Sequence, residues 1–193
     1  MVRVIAKGAF RRTKAGASKF DGGLDLLDFG ECLYLSRTNK DLSTLTDWKL
    51  LDGHLELRRS LPGVLLGQAV VEIIGHLLPD LDPHPVLFDR LHATLPVLVG
   101  ETAEAQFLTL LIDLLTETGY LPDFTEPATP GGRVDPSLAR LAATLAALPR
   151  DGHVVRRPPK LQHSQVVAMT NFLFAHVREI TGRALLTRPF LPG

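Results

Sequence analysis

The sequence predicts an α+β protein, with a small β module at residues 1–53 followed by an all-α bundle at residues 54–193. Apolar residues alternate with a period of two in the first quarter of the chain, whereas from Leu55 onward they recur at helical spacing. The 193 residues are 45% hydrophobic and 22% charged. This composition excludes wholesale disorder and suits one domain of ordinary size, or two small ones that share a core.

Three short strands are predicted in the β module. Residues 2–6 alternate as a half-buried strand does, residues 24–35 form a second apolar run, and residues 45–51 form a third strand around Trp48. Gly30 lies inside the second run and indicates a bulge or bend. Three strands do not close a barrel, so we expect the module to be incomplete.

Five helices are predicted in the bundle, and proline and glycine mark their boundaries. Pro62 and Gly63 disturb the first turn of the longest helix. Pro85 opens the second helix and Pro96 stops or kinks it, and Gly119 is placed to cap the third. The predicted spans are 55–78, 85–98, 101–119, 136–148 and 164–181, with a loop rich in proline and glycine at 121–136.

The net charge of zero conceals two basic ends around an acidic middle. Residues 1–20 carry six basic and no acidic side chains, and residues 150–193 carry seven basic and two acidic ones. Residues 21–149 hold eight basic and nineteen acidic side chains. This distribution suggests a polyanion-binding surface built from the termini. The alternative is that these charges are solvated faces of a neutral protein.

Histidines and carboxylates offer no metal or acid–base site. The seven histidines include no HExxH motif and no pair at the i, i+4 spacing. His76 and His92 lie among leucines in predicted helices and are interpreted as packing or rim residues. Asp80, Asp82 and Asp89 surround a proline-rich helix junction, where capping and turn formation explain them.

Nothing else in the sequence indicates an enzyme or a membrane protein. The single cysteine, Cys32, lies in a predicted strand and is interpreted as a buried structural thiol. There is no phosphate-binding loop, dinucleotide fingerprint or nucleophile elbow, so no catalytic residue, cofactor or metal is predicted. A hydrolase that uses scattered histidines and aspartates is the least favoured hypothesis. No apolar run approaches the ~18 residues of a membrane span, which predicts a soluble, cytoplasmic protein.

The loop after the first predicted strand is the segment that points to a function, namely contact with nucleic acid. The segment KGAFRRTKAGASKF holds five cations and two aromatic residues, Phe10 and Phe20. Its small residues leave the cations free to reach phosphates, and an aromatic ring can stack on a base. The two phenylalanines could equally belong to the core beneath the loop. The loop cations are Lys7, Arg11, Arg12, Lys14 and Lys19.

Five segments together resemble the RecO family of recombination mediators. The resemblance rests on VRVIAKGAFRRTKAGASKFDGGLDLLDFGECLYLSR, LSTLTDWKLLDGHLELRRSL, HPVLFDRLHATLPVL, EAQFLTLLIDLLTETGYLPDF and GRALLTRPFL. They occur in the family's order and cover most of the chain. Members have an N-terminal OB-fold followed by a helical domain, so the resemblance implies a partial OB-fold-like module before the bundle.

The chain departs from the family pattern in two places. Many members carry zinc-binding cysteines after a G-Y-x-P motif, but here Phe124, Thr125 and a cysteine-free loop follow it, so no zinc is expected. The first residues resemble the family's third barrel strand. We therefore expect the first two strands to be missing, through a late start or a truncated form, and the open barrel to leave unpaired strand edges and an exposed apolar face.

The resemblance implies a non-catalytic role in DNA repair, in the cytoplasm and associated with the nucleoid. Family members bind single- and double-stranded DNA, anneal complementary strands, and act with RecR and single-strand-binding protein to load a recombinase. Lys7, Arg11, Arg12, Lys14 and Lys19 match the family's basic loop and would contact DNA. No membrane partner is implied.

The acidic, hydrophobic-ended tail of single-strand-binding protein would need a cationic rim beside an apolar groove. Two sets of residues could supply that rim: Arg178, Arg183 and Arg188 near Phe190, or Arg58 and Arg59. The alternative function is that of a helical protein–protein adaptor whose truncated β module no longer binds DNA.

Overall fold

The computed structural model describes residues 2–9, 20, 23–36, 42–124 and 135–191. The chain divides into two compact units, a β unit at residues 1–55 and a helical unit at residues 56–193. A small N-terminal sheet followed by helices confirms the predicted α+β class.

The β unit contains a three-stranded sheet of β1 (Val4–Ile5), β2 (Phe29–Leu35) and β3 (Ser43–Asp52), in the order β1-β3-β2. β1 lies parallel to β3, and β2 lies antiparallel to it. Residues 24–28, which the sequence assigned to the second strand, instead form a turn. In that turn Asp25 N donates to Asp28 Oδ2 (2.6 Å), and Leu27 has a φ of 60°.

Gly30 lies at a register shift between β2 and β3, which confirms the predicted irregularity. A Cβ atom at this position would lie 2.4 Å from the carbonyl oxygen of Lys49 and 2.7 Å from the indole ring of Trp48. The bulge therefore lets the β2 backbone pass directly beneath Trp48, and any side chain at position 30 would prevent that approach.

Replacing Gly30 with alanine should destabilise the β unit by about 2 kcal/mol, because the added methyl group meets a backbone oxygen and a ring that cannot both retreat. Trp48 is the only tryptophan of the chain, so its fluorescence in a urea titration reports on this unit. Gly53→Ala is the matched control, since the nearest atoms to a Cβ there lie 3.8 Å away. A Gly30→Ala transition that coincides with the control would contradict the close approach.

The thiol of Cys32 is exposed, so the prediction of a buried structural thiol was wrong. Residues 31–35 of β2 are all exposed, including Leu33 at 65% and Leu35 at 59%. Both faces of this strand are therefore uncovered among the residues that the structure describes. Alternation along a strand indicates which side chains share a face, but it does not show whether anything packs against that face.

The helical unit begins with two helices where the sequence predicted one. α1 (Leu55–Arg58) is a single turn, and α2 (Leu61–Leu77) starts afresh after Ser60, whose backbone is extended. The Ser60 hydroxyl accepts from Gly63 N (3.2 Å) and caps α2. Pro62 lies in the first turn of α2, where its missing N–H costs no intrahelical bond.

The core of the helical unit is built around α4 (Ala103–Glu117). Every residue from Ala103 to Leu115 is buried except Glu104, because α2, α3, α5 and α6 all pack against this helix. Surrounding helices explain why this segment lacks a polar face. The other helices are α3 (Pro85–Thr94), α5 (Pro136–Ala146) and α6 (His163–Thr181).

Two predicted helix boundaries, marked by proline and glycine residues, can be compared with the structure. α3 starts at Pro85, and a 3₁₀ turn at Leu95–Val97 that contains Pro96 follows it. Gly119 has a φ of 74° directly after α4, and Tyr120 N donates to Leu115 O (2.8 Å) as in a Schellman motif. Both predicted boundaries are confirmed.

A two-stranded hairpin, β4 (Arg150–Asp151) and β5 (Val154–Val155), lies in a stretch that the sequence analysis left irregular. Gln106 of α4 bonds both backbone groups of Val155: its Nε2 donates to the carbonyl oxygen (3.0 Å) and its Oε1 accepts from the amide (3.3 Å). Arg150 donates two bonds to the Asp113 carboxylate, at 2.6 and 2.7 Å. Two polar groups of the central helix thus hold the hairpin in place.

Candidate functional site

The described part of the basic loop begins at Lys7, which is exposed in the turn after β1. Gly8 has a φ of 81°, and Ala9 N donates to Ala6 O (3.3 Å), so the chain turns here at the end of the strand. The other predicted DNA contacts, Arg11, Arg12, Lys14 and Lys19, lie outside the described residues.

Phe20, at the far end of the loop, is fully buried. This favours the core alternative over base stacking, because a ring with no accessible surface cannot stack on a base. Phe10 lies outside the described residues.

The helical unit carries an apolar groove of about 650 Å³. The first turns of α2 line one part of it (the α2 wall), Phe190 and Leu191 line another (the C-terminal wall), and the start of α4 contributes Ala103 and Glu104. Leu61 and Phe190, which both line the groove, are 70% and 68% exposed. Its apolar lining residues include Leu61, Leu65, Leu66, Ala103, Phe190 and Leu191.

The rim of this groove carries mixed charge. Lys160 lies in the lining and its Nζ is 3.2 Å from Glu101 Oε2, with both side chains mostly exposed. Glu104 lies in the lining as well. Exposed ion pairs of this kind contribute little stability, so Lys160 can exchange its partner at small cost.

None of the arginines predicted to form a cationic rim lines the groove, whereas Phe190, predicted beside them, does. The Arg188 guanidinium donates to Asn171 Oδ1, and Arg59 pairs with Glu56 at 2.7 Å. Sequence reasoning missed Lys160 because the walls of the groove come from positions far apart in the chain. Its place in the basic, proline-bearing stretch 156–160 was the only local signal.

The C-terminal segment, residues 183–191, is fastened to α2 by Glu72. The Glu72 carboxylate accepts from Leu186 N (2.6 Å), Thr187 N (3.0 Å) and Thr187 Oγ1 (2.7 Å). Burial acts to raise the pKa of Glu72, but these bonds and the nearby His76 outweigh it and hold the pKa below its usual value. The carboxylate is therefore charged at neutral pH and its three donors are satisfied.

The histidines and aspartates do not assemble into a site. In the described ranges no group of three or more His, Cys, Asp or Glu side chains is placed to hold a metal ion. His84 Nε2 lies 3.3 Å from Asp82 Oδ2 at the junction before α3. His54 is buried, and its Nδ1 donates to Leu27 O (2.9 Å) within the β unit. Among the helices that the structure describes, none has the length and apolarity needed to cross a bilayer.

Comparison with known proteins identifies a family for most of the helical unit. The family model described as "Recombination protein O C terminal" matches residues 58–174. The DNA repair protein RecO of Syntrophotalea carbinolica is 27% identical over 143 residues, which are 73% of this chain and 55% of that protein. The DNA repair protein RecO of Dehalococcoides mccartyi is 32% identical over 130 residues, 66% of this chain and 49% of the relative.

A third relative, the DNA repair protein RecO of Rhodopirellula baltica, is 33% identical over 107 residues, 55% of this chain and 38% of its own. The chain thus spans about half the length of the curated relatives it matches. The family match extends from α1 through most of α6, the region that holds the helical core and one wall of the groove. Because that match covers more than half of the chain, the chain belongs to the RecO family.

Proposed function

We propose that this chain is a non-catalytic DNA-binding mediator of DNA repair that binds and anneals single-stranded DNA at the nucleoid. Membership of the RecO family and the names of its relatives, DNA repair proteins, support the role. The single observation that carries DNA contact is the basic loop, with five cations in fourteen residues.

Annealing of this kind needs cations rather than a catalytic constellation. Two complementary strands repel each other through their phosphates, and lysine and arginine side chains that neutralise those phosphates let the strands approach on one protein surface. No covalent bond is made or broken, so neither a cofactor nor a metal is required. Lys7, Arg11, Arg12, Lys14 and Lys19 are the residues proposed to supply the charge.

The partners we propose are single- and double-stranded DNA, RecR, and the tail of single-strand-binding protein. For the tail we propose the apolar groove as the docking site, with its hydrophobic end against Leu61, Leu65 and Phe190 and an acidic group on Lys160. Exposed apolar side chains beside a cation support this assignment. The same groove favours the second candidate function, a helical adaptor, if the β unit does not bind DNA.

The test is fluorescence anisotropy of a labelled single-stranded oligonucleotide at several salt concentrations. Contact with five or six phosphates gives a log–log salt slope of about −4, since each phosphate contributes about 0.7 on a single strand. Arg11→Ala/Arg12→Ala/Lys14→Ala should reduce the magnitude of that slope by about 2 and weaken binding at every salt concentration.

A control variant with the same change in net charge tests whether the loss of binding is specific to the basic loop. Lys49, Arg59 and Arg140 are exposed cations outside the two basic ends of the chain, and their triple alanine variant changes the net charge by the same amount. The control should keep the steep slope. An equal loss in both variants would overturn the assignment to the loop, and no binding by the folded wild-type chain would leave the adaptor as the function.

A further inference from the structure

We propose that Glu72 is a positioning residue for the groove: by holding Leu186 and Thr187, it keeps the C-terminal segment in place as the wall against which a tail peptide binds. This inference rests on the proposed function, because it concerns the site assigned there to the tail of single-strand-binding protein. Glu72 itself does not line the groove.

Glu72 holds the C-terminal segment at a residue whose own side chain adds little apolar packing. Leu185 and Leu191 are buried, but Leu186 between them is 81% exposed, so its side chain contributes little to holding the chain. The amides of Leu186 and Thr187 come just before a 3₁₀ turn at Arg188–Phe190, where backbone N–H groups lack partners within the turn. A charged carboxylate that accepts from both is the polar contact that fixes the start of that turn.

The 3₁₀ turn at Arg188–Phe190 links the residues that Glu72 holds to Phe190, which lines the groove. Phe190 N donates to Thr187 O (3.0 Å), and Leu191 N donates to Arg188 O (3.3 Å). Two residues therefore separate the anchored Thr187 from Phe190, and residues 187–190 form one hydrogen-bonded turn. We therefore expect a displacement of Thr187 to move the lining residues Phe190 and Leu191.

Glu72 and the groove-lining residues Leu61 and Leu65 lie on the same face of α2. Leu61, Leu65 and Glu72 are four and seven residues apart along α2, spacings that keep side chains on one side of a helix. The helix thus supplies one wall through its first turns and fixes the other wall through Glu72. α2 therefore contributes to the placement of both walls.

The first measurement is amide hydrogen exchange by NMR on the full chain, which needs no ligand. Glu72→Ala should speed exchange at Leu186, Thr187, Phe190 and Leu191 by about tenfold or more, because hydrogen bonds to a charged group are among the stronger ones. Thr187→Val removes the hydroxyl bond alone and should give a smaller effect. Glu179→Gln, on an exposed position of α6, changes the charge by the same amount and should leave all four amides as they are.

Binding of the tail peptide of single-strand-binding protein is then compared by calorimetry, with helix content checked by circular dichroism. Glu72→Ala should weaken the peptide about tenfold and leave the salt slope of DNA binding unchanged. Faster exchange confined to Leu186 and Thr187, or peptide binding that survives faster exchange at Phe190, would overturn the inference. If the wild-type chain does not bind the peptide, the proposed partner fails, and the exchange rates at Phe190 and Leu191 still decide whether Glu72 positions the wall.

Discussion

Replacing Asp113 with alanine should lower the free energy of unfolding of the helical unit by about 3 kcal/mol at neutral pH. The Asp113 side chain is 12% exposed and that of Arg150 is 22% exposed, so the variant leaves a largely buried guanidinium without its carboxylate. Arg90 lies 4.0 Å from the same carboxylate and loses its partner too. The circular dichroism signal at 222 nm during urea unfolding reports on this unit, since all but one residue of the α-helices that the structure describes lie there.

The pair is expected to specify the position of the hairpin rather than to add stability. Burial raises the pKa of Asp113 by more than Arg150 and Arg90 lower it, so ionisation of this group is less favourable in the folded chain than in the unfolded one. For an acid whose folded pKa is raised, the contribution to stability falls as the pH rises from the ordinary aspartate pKa through the raised value. Asp113→Asn should remove that part of the pH dependence.

A double variant distinguishes the cost of leaving Arg150 without its carboxylate from the net contribution of the ion pair to stability. Asp113→Val/Arg150→Met replaces both charges with apolar groups and should be more stable than Asp113→Ala, because only the more distant Arg90 is then left without the carboxylate. A single variant as stable as the wild type would show that Arg150 reaches water without cost. A double variant less stable than the single one would show that the ion pair itself stabilises the fold.

The sequence predicted correctly the helix boundaries that depend on the backbone preferences of a single proline or glycine. Pro85 and Pro96 fix where α3 starts and ends, and Gly119 takes the left-handed conformation that closes α4. The break between α1 and α2 was missed because helical periodicity continues across it. The capping hydroxyl of Ser60, which precedes Pro62, was the signal that could have located it.

The hairpin and the groove could not be predicted from local patterns. Two-residue strands have no periodicity to detect, and what holds them is Gln106 and Asp113, which lie 49 and 37 residues from their partners in the sequence. The groove likewise joins α2, α4, Lys160 and the chain end. Of the predicted DNA contacts the structure describes Lys7 alone, so the basic loop stays a prediction from the sequence.

Gly63→Ala should destabilise the helical unit by about 3 kcal/mol, the upper end of the usual cost of overpacking. A Cβ atom at this position would lie 2.4 Å from Leu98 O and 2.9 Å from Leu57 Cδ1. The leucine side chain could shift, but the carbonyl belongs to Leu98, whose side chain is fully buried beside the 3₁₀ turn that ends at Val97. The gain in helix propensity from glycine to alanine, about 1 kcal/mol at most, does not offset that clash.

The same substitution should disturb the groove, because relief of the clash requires the first turn of α2 to move away from Leu98. That turn carries Leu61 and Leu65, so tail-peptide binding should weaken in a variant that remains folded at low temperature. Urea unfolding at 222 nm gives the stability, and calorimetry with the peptide gives the second effect; the Trp48 fluorescence transition serves as the internal control for the β unit. An alanine variant as stable as the wild type would mean that α2 can separate from the 95–98 turn without loss, and the width of the groove would then not be set by this contact.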